Sequence, residues 1–479
     1  MKNNYTLYAL PGVIGIYAVV HSIYYGGGLA NYTVWEIVGS GSGILIYSYA
    51  LLLVIPRKSH PVNFLIAALI LVMTLFYGSF RDHFFAFPAM GVMVRNYFWN
   101  KTNYFFIALS ALFSLAAIKV FRSFSERSTM LGRDVIWFFC ALICMDMFTY
   151  YHDQRTADPS PPENTESIHF TGEKPDVYFI IFDSETSSKS LERYWHYNND
   201  SAEQSLKDRG FTIARDGQSD YNWTPYSIAS TLNMAYLGEN VPVSPNGQFP
   251  QAFGSAVFRI FAQNGYAVHN LSYFRIGEYP QFASIDRQNI LERTIFYFLY
   301  DRVSNYTYRE YSGEHRELFQ RTYDSLSSLI ENDHTAPKFV YAHFYIPHTP
   351  AFLDEHGNAT VSGSMEIQDM NGYLAHVKYS YAVMLRLIDK IHQQSKGNAI
   401  IVIQGDHGYR FLEGKQKMQE QFDILNAIYF PDRKYAMVND SLNSVNTFRI
   451  ILDSQFGAGL ALLKDSSSNV INSTLQTLR

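Results

Sequence analysis

Apolar residues are distributed unevenly along the chain. Five runs, at 5–25, 33–55, 62–79, 103–121 and 134–150, are almost continuously hydrophobic. Each is close to the ~20 residues that a helix needs to cross a bilayer. The last is the shortest and carries Asp146. Residues 151–174 (YHDQRTADPSPPENTESIHFTGEK) lose this pattern and gain Pro, Asp, Glu and Thr, the composition of a linker. From 175 onward short β-like runs alternate with helical ones. Strands are predicted at 176–182, 266–272, 338–345, 399–404 and 426–430, and helices near 225–236, 255–264, 313–332, 372–395 and 441–455. Such alternation predicts an α/β sandwich on a mostly parallel sheet. The expected organisation is a five-helix transmembrane domain over 1–150, a linker over 151–174 and an α/β domain over 175–479, ample for one sizeable core.

Charge sharpens this division. Only 15 of the 81 charged side chains lie before residue 152. The formal net charge of −5 excludes a general nucleic-acid binder, which needs a basic footprint. The 16% aromatic content excludes a disordered chain. With the N-terminus inside, Lys2, Arg57, Lys58, Lys119, Arg122, Arg127 and Arg133 fall on the cytoplasmic side, against Arg81, Arg95 and Lys101 outside. Five spans then place everything after residue 150 outside the membrane. No cleavable signal is evident, so the first run is expected to remain as an anchor. The loop 81–101, rich in Phe, Trp and Met, reads as a segment lying in the outer interface. Glu36 and Asp146 fall near the outer ends of their runs, where they either reach interfacial water or serve a function. Cys140 and Cys144 sit one helical turn apart, poorly placed for a mutual disulfide and suited to packing.

In open α/β sheets ligands bind beyond the carboxyl ends of the strands. Three predicted strands end in residues able to bind metal or phosphate: Asp183 after DVYFIIF, His348 in Ile346-Pro347-His348-Thr349-Pro350, and Asp406-His407 between Gly405 and Gly408. A fourth element places Thr224 before Pro225 and an apolar helix, as an N-cap, where free N–H groups attract anions. Singly, each has a structural explanation: a turn aspartate, a helix cap, a surface histidine. Converging on one rim they point to chemistry.

These residues lie in segments that resemble the sulfatase-like branch of the alkaline phosphatase superfamily: PDVYFIIFD at 175–183, SDYNWTPYSIASTLNM at 219–234, FYIPHTP at 344–350, IQGDHG at 403–408 and VNTFRIILDSQFG at 445–457. Five spans followed by such a domain resembles bacterial lipid A phosphoethanolamine transferases and lipoteichoic acid synthases. The resemblance implies an alkaline phosphatase-like fold in which Asp183, Thr224, Asp406 and His407 hold one divalent metal. Thr224 would be the nucleophile, and His348 would contact the phosphoryl substrate or leaving group. Two carboxylates, an imidazole and a hydroxyl suit Zn or Mn, or else Mg. Arg275 and Arg410 are candidate phosphate contacts, with an ordinary surface arginine as the alternative for each. Glu185 is a candidate further ligand. The Cys/Ser-x-Pro-x-Arg motif that matures to formylglycine is absent, because Thr224 is followed by Pro-Tyr-Ser, and this disfavours sulfate ester hydrolysis. The resemblance implies a transferase of the bacterial inner membrane, with its catalytic domain on the outer side. It would move phosphoethanolamine or phosphoglycerol from a membrane phospholipid, through a phosphothreonine, to an envelope glycan or glycolipid. A phosphodiesterase with water as acceptor and a non-catalytic lipid-sensing protein are the alternatives. Oligomeric state is not encoded legibly.

Overall fold

The computed structural model describes residues 5–25, 34–54, 61–80, 107–108, 111–116, 118–119, 128–156, 168–237, 255–282, 290–291, 294–296, 308–332, 336–360, 368–412, 419–471 and 474–478. The chain forms two compact units, one of Met1–Thr156 with Asp286–Asn305 and one of Ala157–Ile285 with Tyr306–Arg479.

The first unit is helical: α1 (Leu10–Tyr25), α2 (Val34–Val54), α3 (Pro61–Leu75) and α4 (Ser128–Thr156). Among the described residues two stretches, Leu7–Tyr24 and Val34–Leu53, are long and apolar enough to cross a membrane, and Pro61–Leu75 is apolar but shorter. Two of the five expected spans therefore meet that measure. The fourth run is described only in short helical pieces, and the loop 81–101 lies outside the described residues. α4 runs on to Thr156, six residues past the end of its apolar run, because nothing before the Pro-rich stretch breaks it. Asp146 does not reach interfacial water. It is buried, with its Oδ2 3.1 Å from His21 Nδ1, while His21 Nε2 lies 3.2 Å from Ser79 Oγ.

The second unit is built on a six-stranded sheet of order β2-β6-β5-β1-β4-β3. The strands are β1 (Asp176–Asp183), β2 (Thr212–Ile213), β3 (Ala267–Leu271), β4 (Lys338–Pro347), β5 (Ala399–Gly405) and β6 (Asn426–Tyr429). β3, β4, β1 and β5 run parallel. β6 pairs antiparallel with β5 and β2 antiparallel with β6, so the sheet is mixed rather than mostly parallel. Among the described residues a single 3-10 turn, Gln419–Gln421, and no helix lies between β5 and β6.

Between Asp176 and Asp183 β1 is a nearly continuous apolar run because it is buried on both faces. Tyr178, Ile180 and Phe182 face one layer, made by α5 (Ser188–Trp195), α6 (Asp200–Asp208), α9 (Tyr308–Glu331) and α10 (Met370–Ser395). Val177, Phe179 and Ile181 face the other, made by α7 (Thr224–Asn233), α8 (Ala256–Gln263) and α11 (Thr447–Phe456). A hairpin of β7 (Ser467–Ile471) and β8 (Thr474–Leu478) closes the chain, and Ser468 N donates to the Asp220 carbonyl at 2.8 Å.

Candidate active site

β1 and β5 are neighbours in register, Phe182 opposite Gly405, so the carboxylates of Asp183 and Asp406 emerge side by side at their ends. Both are buried, at 2% and 0% exposure. After Asp183 the backbone enters the left-handed region at Ser184 (φ 65°), uncommon for a residue other than glycine. This turn sends the Ser184 N–H to Asp406 Oδ1 at 2.9 Å. Asp406 Oδ2 is left buried without a hydrogen-bond partner. The two glycines of Gly405-Asp406-His407-Gly408 serve chain packing. A Cβ on Gly405 would overlap the Glu185 carbonyl oxygen, and one on Gly408 the Glu420 carbonyl oxygen.

His407 Nδ1 donates to the Gly408 carbonyl at 2.8 Å, which leaves the lone pair on Nε2. That atom lies 3.1 Å from Thr224 Oγ1, 3.5 Å from Asp406 Oδ2 and 3.7 Å from Asp183 Oδ1. Burial lowers the His407 pKa and so favours the neutral ring. Thr224 is not the N-cap. Trp223 holds that place without a side-chain bond, and Thr224 is the first residue of α7. Its hydroxyl is consequently not spent on the helix's own N–H groups and faces His407.

Two further residues join the cluster that sequence reasoning missed. His343, in the middle of β4, places Nε2 3.7 Å from Asp183 Oδ2, and its Nδ1 lies 2.7 Å from the Tyr341 hydroxyl. Asp183, His343 and Asp406 each offer a ligand atom within 4.8 Å of the others. Tyr273 donates to Asp183 Oδ2 at 2.5 Å and lies 2.9 Å from His343 Nε2. Burial alone would raise the Asp183 pKa, but His348, His343 and His407 outweigh it and hold the carboxyl below its ordinary value. Because burial keeps His348 neutral above about pH 4, attraction to a charged His348 acts only below that pH. At neutral pH hydrogen bonding carries the effect.

His348 follows Pro347, which lies opposite Asp183 across the β1–β4 pairing. The residue is half-buried, and burial pushes its pKa down to about 4, with Asp183 opposing and Arg410 adding to the shift. Arg410 Nη2 lies 3.5 Å from His348 Nε2. Arg410 Nε and His348 Nδ1 are both without partners. Arg275 is not brought in: it is exposed, and its Nε donates to the Gly277 carbonyl at 3.0 Å. Glu185 also turns away. Its Oε2 accepts from Ser380 Oγ on α10, and burial pushes its pKa up to about 8.

The arrangement fits a divalent cation. Two buried carboxylates side by side repel unless a positive charge lies between them. The partnerless Asp406 Oδ2, the Nε2 lone pair of His407, Asp183 Oδ1 and Thr224 Oγ1 form a mixed oxygen/nitrogen donor set of the kind such ions take.

The chain is similar to the C-terminal periplasmic domain of EptC from Escherichia coli in complex with Zn, at 13% identity over 64% of this chain and 93% of that one, with a TM-score of 0.42. It is similar to the integral membrane lipooligosaccharide phosphoethanolamine transferase A (EptA) from Neisseria meningitidis, at 12% identity over 93% and 95%, with a TM-score of 0.42. A third likeness is to the C-terminal periplasmic domain of phosphoethanolamine transferase EptC from Campylobacter jejuni, at 12% identity over 61% and 92%, with a TM-score of 0.38. Among curated proteins none matches. The Sulfatase family model matches residues 175–453, a span that carries every residue of the cluster and more than half the chain. The chain therefore belongs to the sulfatase family and is an enzyme of the alkaline phosphatase superfamily.

Proposed function

We propose that this enzyme is a membrane-anchored, metal-dependent transferase. It moves phosphoethanolamine or phosphoglycerol from a phospholipid to an envelope glycan or glycolipid, and its catalytic unit faces outward from a bacterial inner membrane. The observation that carries the reading is Thr224 Oγ1, 3.1 Å from His407 Nε2 beside the buried Asp183 and Asp406. A threonine hydroxyl placed among metal donors is arranged for nucleophilic attack rather than for helix capping.

Asp183, Thr224, Asp406 and His407 hold the cation, with His343 beside Asp183. The cation, Zn or Mn or else Mg, supplies Lewis-acid stabilisation of negative charge on the Thr224 oxygen and the phosphoryl group. Gly408 fixes the His407 tautomer, and Ser184 orients Asp406. Thr224 Oγ attacks phosphorus, and diacylglycerol leaves. His348, 3.5 Å from Arg410 through Nε2, contacts the phosphoryl or leaving-group oxygen. Arg410 adds positive charge beside it. The acceptor hydroxyl then attacks the phosphothreonine and restores Thr224. The chain lacks the motif that matures to formylglycine, which supports Thr224 itself as the nucleophile.

The test is incubation of the purified full chain with fluorescent phosphatidylethanolamine and phosphatidylglycerol. Diacylglycerol should be released, and the Thr224 peptide should gain the mass of one phosphorylated headgroup. Release of diacylglycerol with no adduct on this peptide, together with an active Thr224→Ala protein, would refute the reading.

A further inference from the structure

Apart from the Asp183–His407 cluster, the second unit carries an open cavity of about 370 Å³ between the start of α5 and the approach to β6. Small-ligand sites span roughly 300–1,000 Å³. The described residues that line it are polar and include Lys189 and Arg193 of α5, Arg215 and Gln218 after β2, and Gln419 and Asp423 before β6. Among the described residues no apolar side chain lines it, unlike a seat for an acyl chain.

The mixed sheet explains why this cavity shares an edge with the candidate active site. β1 ends at Asp183, and α5 begins five residues later. β6 runs antiparallel to β5, so the start of β6 lies at that same edge, and so does the end of β2, which pairs antiparallel with β6. The stretch 419–423 is common to both places. Gly408 N donates to the Gln421 carbonyl at 2.9 Å and Thr186 Oγ1 to the Asp423 carbonyl at 3.1 Å, while Gln419 and Asp423 line the cavity.

The charges on the walls are unequally matched. Lys189 Nζ lies 2.5 Å from Asp216 Oδ1, and Arg193 Nη1 lies 3.2 Å from Glu420 Oε1. Gln218 Nε2 donates to Asp423 Oδ1 at 3.2 Å. Arg215 is exposed and has no ion pair or hydrogen bond among the described residues. A guanidinium with its fork open presents the geometry that pairs with phosphate or carboxylate. The amides and carboxylates around it offer donors and acceptors to hydroxyls.

We propose that this cavity is a second binding site on the catalytic rim, which takes a sugar ring bearing a phosphate or carboxylate group. Arg215 pairs with the anion, and Gln218 and Gln419 bond ring hydroxyls. That the bound sugar is part of the acceptor rests on the transferase reading; the binding itself does not.

The experiment is calorimetric titration of the full chain in detergent with glucose 6-phosphate and glucuronic acid, against glucose and inorganic phosphate. Both anionic sugars should bind, and Arg215→Glu should weaken them by about tenfold or more, as expected for loss of a charged hydrogen-bonding partner. Glucose and inorganic phosphate should each bind about tenfold more weakly than the anionic sugars, since each lacks one half of the recognised group. Gln218→Ala should weaken sugar binding with the melting temperature unchanged. If Arg215→Glu does not fold, Arg215→Gln is titrated in its place. Thr224→Ala should bind the sugars like the unaltered protein, so failure of the nucleophile assignment is read separately from failure of this site. Absence of anionic-sugar binding, equal binding of inorganic phosphate, or undiminished binding after the Arg215 change would overturn the proposal.

Discussion

Replacing Asp220 with asparagine removes one buried charge behind the helix that carries Thr224. Asp220 is fully buried. Its Oδ2 accepts from Ser230 Oγ of α7 at 2.7 Å and from Ser444 Oγ at 3.0 Å, while Oδ1 has no partner. Burial pushes its pKa up from 3.8 to about 7, against the opposing pull of these hydrogen bonds. Between those values the folded chain keeps a proton that the unfolded chain has lost, so stability falls as pH rises from about 4 to about 7 and is level above. At 1.36 kcal/mol per pH unit the loss reaches about 4 kcal/mol. In Asp220→Asn the amide oxygen keeps both serine bonds, and the charge that burial penalises is removed. The variant should therefore lose the pH dependence and exceed the unaltered protein in stability above pH 7. Hydrogen exchange of the α7 peptide, corrected for intrinsic rates, reads this as an opening free energy. Curves that stay parallel from pH 4 to 8 would show that Asp220 titrates as an ordinary carboxylate and that the reasoning fails.

The candidate active site gives three more expectations. Thr224→Ala should lower turnover by about four orders of magnitude or more, the scale of nucleophile removal, while bound metal measured by mass spectrometry is reduced but present. His348→Ala should cost about 100-fold in activity, as for loss of one donor to a developing oxyanion, with metal content unchanged; loss of the metal would make His348 a ligand. Asp406→Ala should leave the protein substoichiometric in divalent metal and abolish the fall in melting temperature that a chelator causes in the unaltered chain. A chelator-sensitive melting temperature in this variant would place the ion elsewhere.

What was legible in the sequence follows from where each residue sits. Asp183, Thr224, His348, Asp406 and His407 interrupt apolar or glycine-bounded runs at strand or helix ends, where a polar residue stands out, and the structure brings all five together with Arg410. His343 and Tyr273 were illegible for the opposite reason. His343 is embedded in KFVYAHFY, a run that reads as core, and nothing local marks one member of it as turned toward a carboxylate on the next strand. In NLSYFRIG the formal charge drew attention to Arg275, whereas the shorter reach of Tyr273 meets Asp183. α5 and α6 went unread because they are short, polar helices that bury only a few residues each. Strand direction at the β6 edge depends on the connection between strands rather than on any pattern inside them, so the mixed sheet was invisible to periodicity. Of the membrane half, two long apolar helices and a shorter one are found among the described residues, and much of the fourth run lies outside them.

The reversed direction of β6 has a consequence for how such an enzyme can diversify. Where strands alternate with crossover helices, each connection spans the thickness of the layers, and altering its length disturbs their packing. Here the passage from β5 to β6 turns back along one edge, and so does the exit from β2. A change of length in either passage away from Asp406–Arg410, Gln419–Asp423 and Thr224 leaves the three layers as they are. That edge is free to vary in what it binds, while the strand-end aspartates, anchored in parallel neighbours, stay in place.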